Sequence, residues 1–382
     1  MSVAVMLVVG LLAAIAPLAY TQVRHILGLY KPTASSDGVT LRTLPLSGPV
    51  AYSPDGHTLA AWGDKGTVEL WDVDSGTRRH ILRFAVSTNA PGYSNGEVVF
   101  APDGGTVAME LNDGQTIQIW DTQTGATRTV IKVPVAHPDG LVPLRASKLV
   151  YSPDSRTIAT TGDHLQLWDV ATGALRHKID IAASDAAFAP DSRTIAAVAH
   201  RQGGIWDVAT GAQVHPLDPP GGYFDWTVGF APDGRTVVTD GQRVQAWDTE
   251  TGAARWSSWG SHPVYAPDGS LLAERSGDDV WLVDPASGKT LRTLRGLHGL
   301  LIRGQVRQVA WAPDSHTLVV SHHAENESWA NTLQVWDVET GTALQLLKGH
   351  KDYVYDVAYS PDGRTITTVS SDGTARIWRA PP

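Results

Sequence analysis

The sequence predicts an all-β fold built from eight repeated units, and a recurring turn motif is the main observation behind this prediction. An aromatic residue, Ser or Ala, Pro, Asp, and Gly or Ser follow one another at residues 52–56, 100–104, 151–155, 188–192, 230–234, 265–269, 311–315 and 359–363. The prolines of successive motifs lie 35 to 51 residues apart. Repeats of this period indicate a solenoid, a propeller or an array, because one unit cannot bury its apolar face without its neighbours.

Each unit carries the signals of four short strands in a fixed order. Apolar residues alternate with others before each Pro, as at Val228 and Phe230, which is the period of a strand. Pro, Asp and Gly then favour a tight turn, because Pro presets φ, Asp bonds the backbone and Gly accepts a positive φ. A second β-rich run, a third run ending in Trp-Asp, an Asp-x-x-(Thr/Ser)-Gly turn and a fourth run complete the unit. After residue 35 we find no convincing helical period.

The dipeptide Trp-Asp ends the third run in six of the units. These pairs begin at Trp71, Trp120, Trp168, Trp206, Trp247 and Trp336. Together with the turn motifs they resemble the WD-repeat β-propeller family, and the resemblance covers residues 40 to about 379. It implies an eight-bladed WD-repeat β-propeller of four-stranded antiparallel blades. Two units depart from the pattern, since the sixth has Val283-Asp284 and the eighth has Trp378-Arg379.

The last unit matches the family pattern most fully. His350, Thr368, Asp372 and Trp378 fall where the family places a buried, hydrogen-bonded tetrad within a blade. The other units lack the Gly-His element of this tetrad. In those units we expect a structural role for the Trp side chains, because one Trp buries on the order of 200 Å².

The two ends of the repeat region predict how the ring closes. The last unit stops after its third run, whereas an additional β-like run at residues 40–46 precedes the first unit. We expect this run to pair with the strand at residues 374–378 and so to complete the eighth blade. Pairing of this kind would remove the open sheet edges that promote aggregation.

Composition argues against several classes of function. Asp and Glu number 39 against 30 Lys and Arg, which gives a net charge of −9, and no basic stripe is present that could neutralise phosphates. We therefore expect no nucleic-acid partner. Cys is absent, which removes disulfides, thiolate catalysis and Cys-based metal sites. We expect no catalytic residues, no cofactor and no metal. His200, His322 and His323 could together bind a metal, but we favour the interpretation that they are solvated loop histidines.

The N-terminal segment predicts an attachment to a membrane. Residues 3–20 are eighteen residues without a charge, long enough as a helix to span about 27 Å of the ~30 Å hydrocarbon core. We expect residues 1–23 to form an uncleaved transmembrane helix and residues 24–39 a linker; a cleaved signal peptide and a helix packed on the ring are the alternatives. Arg24 and Lys31 weakly favour a cytoplasmic propeller, and the side of the membrane stays open.

Loop lengths indicate where a partner would bind. The Pro-Asp and Asp-x-x-(Thr/Ser)-Gly turns are short, whereas the connections at residues 85–97, 133–148, 215–227, 296–308 and 321–331 are long and variable. Long loops on a rigid scaffold often carry binding sites, and aromatic residues are enriched at binding hot spots. The partner-binding residues that we predict on these loops are Tyr93, Tyr223, Phe224, Trp226, His322, His323 and Trp329. The alternative is that these aromatic side chains only pack the loops against the ring.

These observations together predict a non-catalytic scaffold for protein interactions. We expect a membrane-tethered, monomeric propeller that presents one face to a protein or peptide. One alternative is a hydrolase or lyase with its site at the channel mouth, which would need convergent carboxylates, His or a metal there. The other is a sensory or regulatory module related to a signalling protein.

Overall fold

The computed structural model describes residues 36–46, 48–63, 67–84, 97–111, 116–133, 148–218, 224–295, 305–323 and 331–382. For Ser36, Phe224, Asp225, Trp226 and His323 this description covers the backbone only. The described residues form eight antiparallel sheets, which we number as blades one to eight in the order of the sequence motifs. The eight-bladed, four-stranded architecture predicted from the sequence is therefore confirmed. The predicted N-terminal helix lies outside the described residues.

Two short strands precede the first blade along the chain, and the blades then follow in sequence order. These two strands are β1 (Ser36–Asp37) and β2 (Thr40–Leu44). Blade one contains β3 (Val50–Tyr52), β4 (Thr58–Trp62), β5 (Val68–Asp72) and β6 (Arg78–Leu82). Blade two contains β7 (Val98–Phe100), β8 (Thr106–Glu110), β9 (Thr116–Asp121) and β10 (Thr127–Lys132). Blade three contains β11 (Leu149–Tyr151), β12 (Thr157–Thr160), β13 (Leu165–Asp169) and β14 (Leu175–Ile179). Blade four contains β15 (Asp185–Phe188), β16 (Thr194–Ala199), β17 (Gln202–Asp207) and β18 (Gln213–Leu217).

The second half of the ring repeats this arrangement. Blade five contains β19 (Phe224–Phe230), β20 (Thr236–Gly241), β21 (Val244–Asp248) and β22 (Ala254–Ser258). Blade six contains β23 (Ser261–Tyr265), β24 (Leu272–Ser276), β25 (Asp279–Val283) and β26 (Thr290–Arg295). Blade seven contains β27 (Gln305–Trp311), β28 (Thr317–His323), β29 (Leu333–Asp337) and β30 (Thr342–Leu347). Blade eight contains β31 (Val354–Tyr359), β32 (Thr365–Ser370) and β33 (Thr374–Arg379), together with β2.

The apolar core lies between neighbouring blades. The second and third strands of each blade are largely buried, and their side chains pack against the next blade, as in the cluster of Ala108, Ile119, Ile158 and Trp168. First strands of neighbouring blades contact one another, for example β3 with β7 and with β31. The first strands are therefore the innermost strands around the ring axis, and the fourth strands are outermost.

Strand β2 completes blade eight in the way that the sequence predicts. It pairs antiparallel with β33, with Thr40 opposite Trp378 and Leu44 opposite Ala375. Leu44 and Leu46 are buried with side chains of blades one and eight, so the closing strand also joins these two blades. Strand β1 is an addition to this scheme: Ser36 and Asp37, assigned to the linker from sequence, pair in parallel with β30 as a fifth strand of blade seven.

The predicted membrane-anchored localisation is corrected by the structure. None of the residues that the structure describes belongs to a helix long and apolar enough to cross a membrane. The apolar segment at residues 3–20, on which the prediction rested, lies outside the described residues.

Candidate interaction face

The antiparallel order of strands gives the ring two different faces. Within each blade, the turns from first to second strand and from third to fourth strand lie at the same end of the sheet. These are the Pro-Asp turns and the Asp-x-x-(Thr/Ser)-Gly turns, and we call their end the short-turn face. The turns from second to third strand and the connections between blades lie at the opposite end, which we call the variable-loop face.

The short-turn face holds neighbouring blades together. A side chain on the outermost strand of one blade donates a hydrogen bond to a carbonyl in the Asp-x-x-(Thr/Ser)-Gly turn of the next blade. The pairs are Arg42 with Asp74, His80 with Gln123, Thr129 with Val170, His177 with Ala209, His215 with Glu250, Trp256 with Pro285, and Arg292 with Thr340. All seven turns of this type take part, so the polar groups of this face serve to fix one blade on the next.

A close approach explains why these turns end in Gly. Gly211 has a φ of +71°, which residues other than Gly rarely adopt, and a Cβ built there would lie 2.8 Å from the His177 ring. The His177 Nε2 lies 2.9 Å from the Ala209 carbonyl oxygen. Since a carbonyl only accepts, Nε2 must carry the proton and donate.

Three Pro-Asp turns contain Ser where the other turns contain Gly. Ser155, Ser192 and Ser315 have φ values of +61°, +62° and +65°. Each hydroxyl accepts a hydrogen bond of 3.0 Å from a backbone N–H in the turn of a neighbouring blade, donated by Asp103, Asp154 and Asp268 respectively. A hydrogen bond is worth about 0.5–1.5 kcal/mol, which offsets the roughly 1–2 kcal/mol cost of a left-handed residue.

The tetrad residues of blade eight lie together as a hydrogen-bonded chain. Trp378 Nε1 donates to Thr368 Oγ1 at 2.8 Å, Thr368 Oγ1 lies 2.8 Å from His350 Nε2, and His350 Nδ1 lies 3.0 Å from Asp372 Oδ2. Burial lowers the pKa of His350, which favours the neutral ring. A neutral ring that donates from Nδ1 to Asp372 and accepts at Nε2 from Thr368 satisfies every group in this chain.

The Trp side chains at the ends of the other third strands are packed between blades. Trp120, Trp168, Trp206, Trp247 and Trp336 are buried, and Trp71 is partly buried. Blades three and five retain half of the tetrad, because Trp168 donates to Thr160 at 3.1 Å and Trp247 donates to Thr239 at 2.9 Å. These contacts support a structural role for the Trp residues.

On the variable-loop face, eight equivalent positions lie within or directly before the innermost strands, around the axis of the ring. Each position lies three residues before the aromatic residue of the Pro-Asp motif. The eight residues are Pro49, Glu97, Lys148, Asp185, Thr227, His262, Gln308 and Asp356. We call this set the channel ring.

Two carboxylates of the channel ring, those of Asp185 and Asp356, hold blades together. Asp185 Oδ2 accepts the Val228 N–H of blade five at 3.0 Å, and its Oδ1 lies 2.6 Å from Lys148 Nζ. Asp356 Oδ2 accepts the Val50 N–H of blade one at 3.0 Å. Burial raises the pKa of Asp356. Asp185 and Asp356 therefore accept hydrogen bonds from the backbone of neighbouring blades. Their role in this position is structural.

An exposed tryptophan stands out beside the channel ring. Trp259 lies in the two-residue connection between blades five and six, and 68% of its surface is exposed. The Arg243 guanidinium, in a neighbouring turn of the same face, is stacked on the indole at 3.6 Å from the ring centroid. This contact is a cation–π interaction, which orders the indole while its other face stays accessible. Sequence reasoning missed Trp259 because it lies in the shortest connection rather than in a long loop.

A buried carboxyl lies beneath this short connection. Glu274 is fully buried, and the Ser258 hydroxyl donates to it at 2.6 Å. A Cβ built on Gly260 would lie 2.2 Å from Glu274 Oε2, so the connection can pass here only as Gly. Burial raises the pKa of Glu274 to about 7.

The register explains why blade six can hold this carboxyl. Leu272 pairs with Tyr265 as Ile366 pairs with Tyr359 in blade eight, so Glu274 stands at the position of Thr368. Val283 faces Leu272 at the position of the missing Trp. A Val in place of a Trp leaves space for the Glu274 side chain.

The predicted partner-binding residues are distributed differently from the expectation. Tyr93, Tyr223 and Trp329 lie outside the described residues. Phe224 and Trp226 belong to β19, and His322 and His323 belong to β28, so the prediction that these four lie on loops is wrong. Both strands extend into the predicted loops because partners are available in the sheet: Phe224 pairs with Gly241, and His323 pairs with Gln305.

His322 is also not a solvated histidine. Only 2% of its surface is exposed, and burial lowers its pKa to about 4. The ring therefore stays neutral at physiological pH. Within the described residues, no group of three His, Asp or Glu side chains is arranged to hold a metal ion.

Comparisons with known proteins match this architecture. Residues 341–379 match the family model described as WD domain, G-beta repeat. The nuclear distribution protein PAC1 of Arthroderma otae is 34% identical over 165 residues, which cover 40% of this chain and 35% of that protein. Coronin-7 of Rattus norvegicus is 38% identical over 53 residues, 14% of this chain and 6% of that protein. This chain thus matches about a third or less of the length of these relatives.

A solved structure extends the similarity to the whole ring. The C-terminal WD40 domain of Sif2 superposes with a TM-score of 0.73 and covers 91% of this chain and 99% of that domain. The sequence identity is 13%, so this similarity establishes the fold alone.

Proposed function

We propose that this chain, a WD-repeat protein whose eight blades close into a propeller, is a non-catalytic scaffold that binds a protein or peptide on its variable-loop face. WD-repeat propellers typically act as scaffolds for protein interactions. Which partner binds, and through which residues, is specific to this chain and has to be argued from its own surface.

The observation that carries this proposal is the exposed Trp259 under the Arg243 guanidinium. Trp and Arg are the residue types most enriched among binding hot spots, and an ordered Trp loses little conformational entropy on binding. An indole that is 68% exposed on a two-residue connection is unusual, since large aromatic side chains are mostly buried. It forms a rigid apolar anchor on this face.

The hydrogen bonds of the short-turn face and of the channel ring also support a non-catalytic scaffold. Polar groups of the short-turn face are engaged in the contacts that fix successive blades, as in the His177 and His215 hydrogen bonds. Asp185 and Asp356 of the channel ring accept hydrogen bonds from backbone amides of neighbouring blades, so a structural role accounts for both carboxylates. A scaffold does not require any of these side chains to take part in a reaction.

The longer connections extend the proposed face beyond Trp259. We retain Tyr93, Tyr223, Phe224, Trp226, His323 and Trp329 as proposed contact residues, because the described strand ends nearest to them in the sequence lie on the variable-loop face. We leave out His322, because its side chain is buried.

Capture experiments with surface variants test this proposal. The full chain is immobilised, and captured proteins are quantified for the wild type, for Trp259→Ala, and for the combined Tyr223→Ala, Phe224→Ala, Trp226→Ala, His323→Ala and Trp329→Ala variant. We expect both variants to lose the partner, with stability changed by no more than about 1 kcal/mol for Trp259→Ala, because an exposed side chain leaves no cavity.

Matched variants on the other face provide the control. Asp74, Gln123 and Glu250 have exposed side chains on the short-turn face, and their replacement by Ala leaves the turn carbonyls in place. This triple variant should capture the partner as the wild type does. Capture that is lost with the control and kept with Trp259→Ala would contradict the assignment of the face.

A further inference from the structure

We propose that Glu274 regulates the binding site on the variable-loop face, because its protonation state decides whether Trp259 stays in its binding position. Trp259 lies in the segment of residues 258–262, which we call the Trp259 segment. A neutral Glu274 keeps this segment packed on blade six, and an ionised Glu274 releases it. This inference rests on the proposed function and adds to it a regulation by pH.

Both chain neighbours of Trp259 contact the Glu274 side chain. The Ser258 Oγ lies 2.6 Å from Oε1 and 2.7 Å from Oε2 of Glu274. Gly260 passes so close that a Cβ built on it would lie 2.2 Å from Oε2, which leaves no space for a water molecule between them. A change in the charge of Glu274 therefore acts directly on the residues at either side of Trp259.

The contacts of Ser258 fit a neutral carboxyl. A hydroxyl group has one proton, so Ser258 can donate a strong hydrogen bond to only one of the two carboxyl oxygens. A proton on Glu274 supplies the second hydrogen bond, because a protonated carboxyl donates from one oxygen and accepts at the other. Burial raises the pKa of Glu274 to about 7, which favours the same neutral form. Ionisation removes the second hydrogen bond and leaves a charge away from water.

Ser258 and Glu274 are two departures from the repeat that meet at this point. Ser258 ends the outermost strand of blade five, where blade one has the apolar Leu82 at the same register position. Glu274 takes the position of Thr368, which in blade eight lies 2.8 Å from His350 in the connection from the preceding blade. Both blades therefore hold the preceding connection on their second strand, and blade six does so through a carboxyl.

The Trp259 segment is also held in a strained conformation. His262 has a φ of +49°, in the left-handed region that residues other than Gly rarely adopt. Its N–H donates to Asp240 Oδ2 at 2.7 Å, so blade five holds this end of the segment. Once the contact with Glu274 is lost, the strain favours a different conformation of the segment. Trp259 then leaves the position in which Arg243 is stacked on its ring.

The charged groups around Glu274 do not stabilise its ionised form. Asp240 acts on it as a like charge, and Tyr265 on β23 is a further ionisable side chain that interacts with it. Arg275 follows Glu274 on β24, so its side chain lies on the opposite face of the strand. The His262 Nδ1 lies 3.4 Å from Asp240 Oδ2, and this ring is therefore directed at Asp240.

The sign of the pH effect follows from the difference between the two conformations. The pKa of Glu274 is about 7 in the packed segment and returns toward its ordinary value of 4.5 when the segment is released into water. Release therefore becomes up to about tenfold more favourable for each pH unit between 4.5 and 7, and changes no further above pH 7. Partner binding requires the packed segment, so it weakens over the same range.

Fluorine NMR of the full chain containing 5-fluorotryptophan tests the regulation without a partner. The Trp259 resonance is identified by its absence in Trp259→Phe and is followed from pH 5 to pH 8. We expect its position to change with pH in the wild type. In Glu274→Gln it should not change, because the Gln amide reproduces the donor and the acceptor of the neutral carboxyl.

The control is His262→Asn, which removes the titratable imidazole of the Trp259 segment. Asn tolerates a positive φ, so the backbone of the segment is preserved. The Trp259 resonance should change with pH in this variant as in the wild type. A resonance that is independent of pH in the wild type, that changes equally in Glu274→Gln, or that no longer changes in His262→Asn overturns the inference.

Partner capture at pH 5 and pH 8 connects the regulation to binding. The wild type should capture at least about threefold less partner at pH 8 than Glu274→Gln does, and the two should be equal at pH 5. Capture that depends on Trp259 but has the same pH dependence in both proteins would overturn the inference and leave the proposed function intact. Capture that does not depend on Trp259 would contradict both.

Discussion

At the scale of single residues, Glu274 places an ionisable carboxyl at a core position of blade six where the other blades have no ionisable group. The other blades place Thr, Ala, Val or Met at this position, as at Thr368, Thr160 and Met109. Glu274 lacks a cationic partner in the contacts described above and relies on Ser258 and the backbone of Gly260. An ionised carboxyl in such a place is costly, because its charge is removed from water.

The raised pKa makes stability depend on pH with a defined sign. Between its ordinary value of 4.5 and about 7, Glu274 is ionised in the unfolded chain and protonated in the folded chain, so the free energy of unfolding falls as pH rises. The difference approaches roughly 3 kcal/mol above pH 7, at 1.36 kcal/mol for each pH unit. We expect Glu274→Gln to be more stable than the wild type at pH 8 and about equal at pH 4 in urea unfolding.

An exposed carboxyl on the short-turn face serves as the control for this variant. Glu339→Gln removes the same charge at a solvated position and should change stability by less than about 0.5 kcal/mol at either pH. A Glu274→Gln protein that is less stable than the wild type at pH 8 would show that the carboxylate is stabilising there.

The sequence could reveal that the sixth unit departs from the repeat, but not that a carboxyl is buried there. Val283 in place of Trp was visible as a departure from the repeat pattern. The strand register, which aligns Glu274 with Thr368, and the close passage of Gly260 depend on packing between blades. Trp259 was overlooked because the prediction searched the long connections, whereas Trp259 lies in a connection of two residues.

At the scale of elements, β2 is the strand on which ring closure depends. It covers the edge of β33 and buries Leu44 and Leu46 between the last and the first blade. Each buried Leu contributes about 1.5–3 kcal/mol, and the strand also satisfies a row of backbone groups that would otherwise form an open edge.

Deletion of residues 40–46 should therefore destabilise the protein strongly. We expect a loss of at least about 3 kcal/mol, a lower melting temperature and aggregation through the exposed edge of β33. Deletion of residues 36–38 is the matched control, because β1 adds only two residue pairs and an exposed ion pair between Lys348 and Asp37. If both deletions melt like the full chain, β2 does not close the ring.

The turn chemistry made most strands predictable, and the exceptions have a common cause. Pro-Asp and Asp-x-x-(Thr/Ser)-Gly turns mark strand ends by local conformational preference, which a sequence displays directly. Strands β1, β19 and β28 instead extend to where a neighbouring strand offers hydrogen bonds. Whether such hydrogen bonds are available depends on the register of the neighbouring strand, which the local sequence does not display. The sequence therefore predicted residues 224–226 and 322–323 to lie in loops.

At the scale of the whole molecule, the two faces of the ring differ in what their polar groups do. Seven turns of the short-turn face bind the neighbouring blade, from Arg42 with Asp74 to Arg292 with Thr340. The variable-loop face carries the exposed Trp259 with Arg243 stacked on it, and the channel ring. Periodicity in the sequence predicted which turns share a face, whereas the exposure of Trp259 required the fold.

Hydrogen exchange of the full chain with and without a captured partner protein tests the central claim most directly. We expect slower exchange at backbone amides of residues 259–262 and 305–308, because a ligand on the variable-loop face shields them from water. Amides of the turns at residues 73–76 and 208–211 should exchange at unchanged rates. Protection confined to those turns would contradict the assignment of the binding surface to the variable-loop face.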